Sequence, residues 1–233
     1  MSAFPAPPAK LDRKPPEDFE HVEKYPVRLA DIAGKPTPVI LGINWYDAFD
    51  TPVLRDDERW YIPEPTGREY IRGGHCICVK SKQPDQWGWY QFYDQGEEGA
   101  CVGFGISRTQ TLMNRVMYDA FWLYDEARKV DEWPGEDYDG TSVNAGLKVA
   151  KADGLKRQQS GVIAPQDGIS AYRWATSVDE VHGVIQLPIA DELGAVPLLN
   201  SWGRYYPHLV WLPDAWLERL LSEDGEAALV TDR

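Results

Sequence analysis

The spacing of apolar residues changes at Cys101, and this change limits the folds that the chain can adopt. Before it, residues 38–46 and 73–80 are short apolar runs rich in β-branched side chains, a pattern typical of buried strands. After it, apolar residues recur about every 3.6 positions, which predicts a helix that begins near Cys101. The chain therefore needs a fold in which a loop leads from a sheet into a helix.

The remaining segments also predict both kinds of element, with helices in the middle of the chain and strands towards both ends. Capping residues at Thr141-Ser142 and a capping box at Ser177 mark two helix starts. Strands at both ends must come together in one sheet, so the predicted fold class is α+β. The predicted strands cover residues 38–46, 73–80, 87–93, 194–199 and 209–212, and the predicted helices start at residues 101, 120, 141, 177 and 214.

Composition divides the chain into a short arm and one domain. Residues 1–35 are rich in proline with few large apolar groups near their start, which predicts an extended arm. Residues 36–233 are predicted to form a single domain of two lobes, because 43% hydrophobic residues can bury a sizeable core. The sequence leaves open whether the arm inhibits the domain or tethers it, and it does not indicate an oligomeric state.

The charge of the chain excludes some partners. A net charge of -13 argues against a nucleic-acid backbone or an anionic membrane as the principal partner, because both need clustered Lys and Arg. No stretch approaches the roughly 20 apolar residues of a membrane-spanning helix, and the N-terminus lacks the features of a signal peptide. We therefore expect a cytoplasmic protein.

Three cysteines make a disulfide framework unexpected, and two of them share a strand. Cys76 and Cys78 alternate with Ile77, so both side chains point to one side of the strand, away from His75. They are predicted to be small buried residues, because no second Cys pair or His cluster has the spacing of metal ligands. Neither a metal nor another cofactor is predicted.

Cys101 lies where a helix can activate a thiol. Aligned amide dipoles at a helix N-terminus lower the pKa of a thiol, and such a nucleophile also needs a base and a group that orients the base. His75 and Asn200 can fill these two roles if the fold joins them. Gln95 precedes Cys101 by six residues, so its side-chain amide and the Cys101 N–H can together stabilise an oxyanion of acyl transfer.

Three motifs resemble the papain-like cysteine peptidases: Gln95-Gly96-x-x-Gly99-x-Cys101-x-x-Phe104, Gly74-His75, and Asn200-Ser201-Trp202-Gly203. Other segments are similar to bacterial members, so the resemblance extends from about Pro36 to Trp211. It implies a papain-like fold, with a helical lobe and an antiparallel sheet or barrel lobe, that cleaves peptide or isopeptide bonds in a peptide or protein substrate. By this resemblance the nucleophile is Cys101, the base His75, the orienting residue Asn200, the oxyanion donor Gln95, and the shield of the His–Asn bond Trp202.

The order of these residues along the chain departs from the family. In the family the order is Gln, Cys, His, Asn, whereas His75 here precedes Gln95 and Cys101. Moving roughly residues 36–80 to a point after about Leu187 restores the family order, which indicates a permuted connectivity. Because catalytic triads depend on geometry and not on chain order, we predict that the His75 ring lies within hydrogen-bond reach of Cys101.

Other interpretations stay open. His21, His182 and His208 are predicted to be structural, with His208 as a reserve base. A non-catalytic binding or structural protein with the same fold is one alternative, and an amidase of the NlpC/P60 type acting on cell-wall peptides is another. The Asn-Ser-Trp-Gly segment favours the papain branch. The acidic run at residues 131–139 predicts a solvated loop, which favours basic substrates if it lies near a cleft.

Overall fold

The computed structural model describes residues 35–82, 93–133 and 138–232, and within them one large sheet has helices on both faces. The strands are β1 Val39–Tyr46, β2 Val53–Leu54, β3 Trp60–Tyr61, β4 Ile71–Val79, β5 Leu155–Lys156, β6 Ile163–Ala164, β7 Ile169–Ala175, β8 Ala195–Leu199, β9 Leu209–Pro213 and β10 Glu226–Asp232. The α-helices are α1 Cys101–Asn114, α2 Ala120–Ala127, α3 Val143–Ala152, α4 Val178–Ile185, α5 Pro188–Leu193 and α6 Asp214–Ser222, and short 3-10 turns cover Asp47–Asp50 and Pro165–Asp167.

The mixed α+β class is confirmed, and strands from both ends of the chain do meet in one sheet. Seven of the strands and α-helices in the described residues were not predicted from the sequence: β2, β3, β5, β6, β7, α5 and β10. The predicted strand at residues 87–93 lies outside the described residues except for Tyr93, and so does the predicted arm except for its last residue. Helix α1 ends earlier than its apolar spacing suggested, because Arg115 adopts the left-handed conformation and its N–H donates to Thr111 O.

The strand order places β4 in the middle of the eight-stranded sheet. The order is β2-β3-β9-β8-β4-β1-β10-β7, and its neighbouring strands are antiparallel except for β3 and β9. Eight of the described strands thus form one sheet with β2 and β7 at its edges, where the sequence prediction allowed a sheet or a barrel, and β5 pairs with β6 in a separate two-stranded sheet. Strand β4 has β1 on one side and β8 on the other, so it joins the two halves of the sheet.

The sheet separates two apolar cores, because successive side chains of a strand point to opposite faces. Ile77 and Val79 of β4 pack into the larger core, which also contains residues of α4, α5 and α6. Cys76 packs into the second core with residues of α1, α2 and α3, and Cys78 contacts Leu112 of α1 in a smaller cluster. The prediction that Cys76 and Cys78 are buried is confirmed, and both are free thiols.

Side-chain hydrogen bonds mark two of the predicted helix starts, those of α3 and α4. Ser142 Oγ accepts the Ala145 N–H at 3.0 Å, and Ser177 Oγ accepts the Glu180 N–H at 3.2 Å. The Glu180 carboxylate accepts from the Thr176 N–H, one residue before the position that a capping box uses. Both caps therefore satisfy backbone donors that the first helical turn leaves free.

His182 has the structural position that the sequence favoured for it. It lies on α4, where its Nδ1 is 2.7 Å from Asp191 of α5 and its Nε2 is 2.9 Å from Asp214 of α6. These two carboxylates raise the pKa of the imidazole. The ring therefore links three helices on one face of the sheet. None of the helices in the described residues is long and apolar enough to cross a membrane.

Glu226 is a carboxyl group that the sheet holds in an apolar setting. It opens β10, pairs with Gly42 of β1, and is half-buried near Tyr172. Burial and, to a smaller extent, the negative charge of Glu132 raise the pKa of its carboxyl to about 7. The folded protein therefore favours the neutral form of Glu226 up to about neutral pH.

Replacing Glu226 by Gln should stabilise the protein at high pH. Below the ordinary pKa of 4.5 the carboxyl is neutral in the folded and the unfolded chain, whereas above about 7 the fold must bury its charge. The stability of the wild type therefore falls as the pH rises between these values. We expect the variant to gain on the order of 2 kcal/mol relative to the wild type between pH 4.5 and 8, measured by urea unfolding.

The exposed residue Glu218 on α6 offers a matched control, because its side chain already meets water. Glu218→Gln should change the free energy of unfolding by a smaller amount over the same pH range. A difference between Glu226→Gln and the wild type that does not vary with pH would contradict the buried charge.

Candidate active site

Strands β4 and β8 bring His75 and Asn200 together, although 125 residues separate them in the chain. The antiparallel register pairs Cys78 with Leu199, the last residue of β8. The chain then continues past the earlier part of β4, where His75 lies. Asn200 Oδ1 is 3.1 Å from His75 Nε2, and both side chains are buried.

The hydrogen bonds of Asn200 determine which imidazole nitrogen carries the proton. The Ser201 N–H donates to Asn200 Oδ1 at 2.7 Å, so this atom is the acceptor oxygen of the amide. His75 Nε2 must then donate to the same oxygen, because an acceptor cannot bond to another acceptor. The neutral ring therefore keeps its lone pair on Nδ1, where it can take a proton from a nucleophile.

Two tryptophans enclose the His75 ring. The ring centroid lies 4.8 Å from that of Trp45 and 4.9 Å from that of Trp202. Burial lowers the pKa of His75 to about 4, although the bond to Asn200 acts in the opposite direction. The apolar rings favour a neutral imidazole, and the role of Trp202 as a shield of the His–Asn bond stays a prediction.

Gln95 is held by Ser201 through two hydrogen bonds. The Gln95 N–H donates to Ser201 O at 2.9 Å, and Ser201 Oγ donates to Gln95 Oε1 at 2.6 Å. Gln95 Nε2 donates one proton to Glu98 O at 2.8 Å, which leaves its second proton for another acceptor. The side-chain amide therefore has a single orientation. Ser201 was not assigned a role from the sequence, although its position between Asn200 and Trp202 was a signal.

Cys101 is the first residue of α1. The N-cap residue Ala100 makes no side-chain hydrogen bond to the first turn, so no side-chain cap occupies this end of the helix. The backbone N–H groups of Cys76, Val102 and Cys101 itself lower the pKa of the thiol. Burial is the larger effect and raises the pKa to about 11. The expectation that the helix start leaves Cys101 with a low pKa is therefore wrong for this structure, because desolvation outweighs the amide dipoles.

Helix α1 lies directly against β4. A Cβ atom added to Gly105 would lie 2.8 Å from Cys76 Sγ, so only glycine allows this approach. Because the Cys76 backbone also acts on the Cys101 thiol, the sulfur faces the strand that carries His75. No hydrogen bond joins His75 to Cys101 among those of the described residues, so their predicted direct contact stays a prediction. His208 immediately precedes β9, and its role as a reserve base also stays a prediction.

The described residues contain no group of three or more His, Cys, Asp and Glu side chains that could hold a metal ion. The polar groups bonded to His75 and to its partner are instead the Asn200 amide and the Ser201 N–H. Such groups bind and orient by hydrogen bonds. The arrangement offers a thiol, a base with a free lone pair, and amide donors, which are the components of acyl transfer.

No protein-family model matches this chain, and no curated protein sequence matches it. Its structure is similar to a solved structure of a cysteine protease. That structure is xylellain from Xylella fastidiosa, with a TM-score of 0.48 and 14% sequence identity over 66% of this chain and 92% of xylellain. This likeness is too distant to assign an activity, which must be argued from the geometry of the site.

Alkylation should distinguish the three thiols. Cys101 is 9% exposed, whereas Cys76 is 2% and Cys78 0% exposed, so we expect iodoacetamide to modify Cys101 first. Because burial raises the pKa of Cys101 to about 11, its rate should still increase with pH above pH 8. Peptide mass spectrometry over a time course at several pH values measures both properties. A rate that levels off below pH 7 would indicate a preformed thiolate and contradict the neutral thiol.

Proposed function

We propose that this protein is a papain-like thiol hydrolase that cleaves peptide or isopeptide bonds, with Cys101 as its nucleophile. The observation that carries the proposal is the hydrogen bond between His75 and Asn200, because it joins two distant motif residues and leaves Nδ1 available as a base. The position of Cys101 at the start of a helix that packs on the His75 strand supports the same function. The substrate is a peptide or a protein.

In the proposed reaction each of these residues has one role. Cys101 Sγ attacks the carbonyl carbon while His75 takes the thiol proton, and the oxyanion accepts hydrogen bonds from the Cys101 N–H and Gln95 Nε2. His75 then gives the proton to the leaving amine as the C–N bond breaks. Water, deprotonated by His75, attacks the thioester and releases the acid with the free thiol.

The electrostatics favour a proton transfer that accompanies the attack. The pKa of Cys101 is about 11 and that of His75 is about 4. The neutral thiol and the neutral imidazole are therefore the stable pair at neutral pH. Deprotonation then becomes favourable as the thiolate forms its bond to the substrate carbon. His75 therefore acts as a general base in the proposed mechanism, and no ion pair is needed before the substrate binds.

The remaining residues orient the reacting groups. Asn200 holds the His75 tautomer, and Trp202 covers the ring, which limits competition from water for the His–Asn bond. Ser201 aligns the Gln95 amide. In the proposal these three residues act through His75 and Gln95 and do not touch the reacting atoms.

The proposed domain is one papain-like catalytic unit of residues 36–233 with a permuted order of elements. Strand β4, which carries His75, precedes α1 along the chain, yet it pairs with β8, which ends before Asn200. This pairing supports the idea that the block containing β1 to β4 has moved relative to the family order. The sheet combines strands from both ends of the domain, which favours one unit.

A non-catalytic protein with the same fold is the second candidate. The burial of Cys101 and the neutral state that its pKa favours are the observations on its side, because most catalytic thiols are ionised more easily. In that case Cys101 and His75 would be parts of the core, and the protein would bind peptides without cleaving them.

Substitutions at the four proposed site residues test the enzyme directly. Cys101→Ala and His75→Ala should abolish cleavage of a fluorogenic peptide library, because each removes a reacting group. Gln95→Ala should lower kcat by about 100-fold or more with little change in KM, since it removes a donor that acts on the oxyanion. Asn200→Ala should also lower kcat, because the His75 tautomer is then no longer held.

Cys78→Ala is the matched control. Cys78 is a buried cysteine of β4, the strand that carries His75, and it packs against Leu112. It should retain cleavage. If the wild type cleaves no peptide and a peptidyl thiol-reactive probe does not label Cys101, the non-catalytic candidate replaces the proposal. Cleavage that survives Cys101→Ala would exclude the thiol mechanism.

A further inference from the structure

The loop that leads into Cys101 is attached to a carboxylate from another part of the chain. The Gly99 N–H donates to Asp139 Oδ1 at 3.0 Å, two residues before the nucleophile. A Cβ atom at Gly99 would lie 2.8 Å from that oxygen and from the Asp139 backbone carbon. Position 99 therefore requires glycine, because Asp139 packs directly on the loop.

Asp139 is itself held by α2. Tyr124 Oη donates to the same Asp139 oxygen at 3.1 Å, and it accepts the Gly140 N–H at 3.3 Å. Tyr124 is buried on α2, so the packing around its side chain fixes the position of its hydroxyl. Burial and the bond to Asp139 raise the pKa of Tyr124 to about 12, which keeps the hydroxyl proton in place as a donor. The Asp139 carboxylate therefore cannot move without losing its part-buried hydrogen bond to Tyr124.

The first turn of α1 rests on the same residue of α2. A Cβ atom at Gly103 would lie 2.2 Å from Ala120 O and 3.0 Å from the Tyr124 backbone nitrogen. The chain before Cys101 thus reaches Tyr124 through Asp139, and the chain after it reaches Tyr124 through Gly103. The chain on both sides of Cys101 is therefore positioned by contacts that lead to the same helix, α2.

We propose that Asp139 is a positioning residue that fixes the loop before Cys101 and thereby the direction of the nucleophile and of its backbone N–H. The effect of Asp139 on catalysis rests on the proposed function as a thiol hydrolase. Its effect on the placement of the Cys101 thiol does not depend on that function. Asp139 acts through Gly99 and does not touch the reacting atoms. Asp139 belongs to the acidic run for which the sequence predicts a solvated loop, and its contact with Gly99 forms only in the folded protein.

The charge of Asp139 has a separate effect that can be measured. After burial, its negative charge is a further cause that raises the pKa of the Cys101 thiol. The Cys76 thiol on β4 also interacts electrostatically with Cys101, while Glu97 and Glu98 are exposed on the loop itself. The substitution Asp139→Asn keeps the acceptor oxygen and removes the charge, whereas Asp139→Ala removes both the oxygen and the charge.

The comparison of Asp139→Asn with Asp139→Ala separates charge from placement. In the full-length protein, Asp139→Asn should be alkylated at Cys101 about two- to fivefold faster than the wild type at pH 8, because an exposed charge contributes at most modestly. Its kcat should stay close to that of the wild type. Asp139→Ala should lower kcat by about 100-fold with little change in KM, the effect of a misplaced reacting group.

Tyr124→Phe provides a second variant if Asp139→Ala does not fold, which thermal unfolding reveals. It removes the hydroxyl that holds Asp139 but keeps the carboxylate and the Gly99 bond, so its kcat should fall between those of the wild type and Asp139→Ala. A wild-type kcat in a folded Asp139→Ala, or in Tyr124→Phe when Asp139→Ala is unfolded, overturns the positioning role.

The alkylation readout keeps the proposal separate from the proposed function. If the wild type cleaves no peptide, Asp139→Ala must still change the alkylation rate of Cys101 relative to Asp139→Asn, because placement of the thiol differs between them. Equal alkylation rates in these two variants overturn the proposal whether or not the protein is an enzyme.

Discussion

The hydrogen bond between His75 and Asn200 is the interaction on which the rest of the proposed site depends. It forms because β4 and β8 pair in one register, and a shift of that register by one residue would turn each side chain to the other face of the sheet. The bond also assigns the proton of the ring, since Asn200 Oδ1 already accepts the Ser201 N–H. The tautomer of His75 therefore follows from the pairing of β4 with β8, whereas its low pKa follows from burial.

Burial and ionisation oppose each other at this site. The two tryptophans that pack against the His75 ring remove water from the imidazole, and the packing of α1 on β4 removes water from the Cys101 thiol. Backbone N–H groups at the helix start lower the pKa of Cys101 and so offset part of the increase that burial causes. Because burial has the larger effect on both groups, the proposed chemistry depends on proton transfer during attack and not on a stored thiolate.

The sequence was most successful where the signal is local. Apolar spacing predicted β1, β4 and α1, and the serine at position 142 predicted the start of α3, since these features depend on residues within a few positions. Strand β10 was not predicted, because its short run is stabilised by pairing with β1 and β7 from earlier parts of the chain. The role of Ser201 also depends on a partner 106 residues away.

The sequence by itself determined the α+β class, a helix that begins at Cys101 and a set of motif residues that resemble a thiol hydrolase, because periodicity and short motifs are properties of neighbouring residues. Only the tertiary structure decided which strands lie beside β4, which nitrogen of His75 is free, and that Asp139 bonds to the loop before Cys101. It also reversed the expected pKa of Cys101. Hydrogen-bond partners and burial depend on segments distant in the chain, and no local pattern records them.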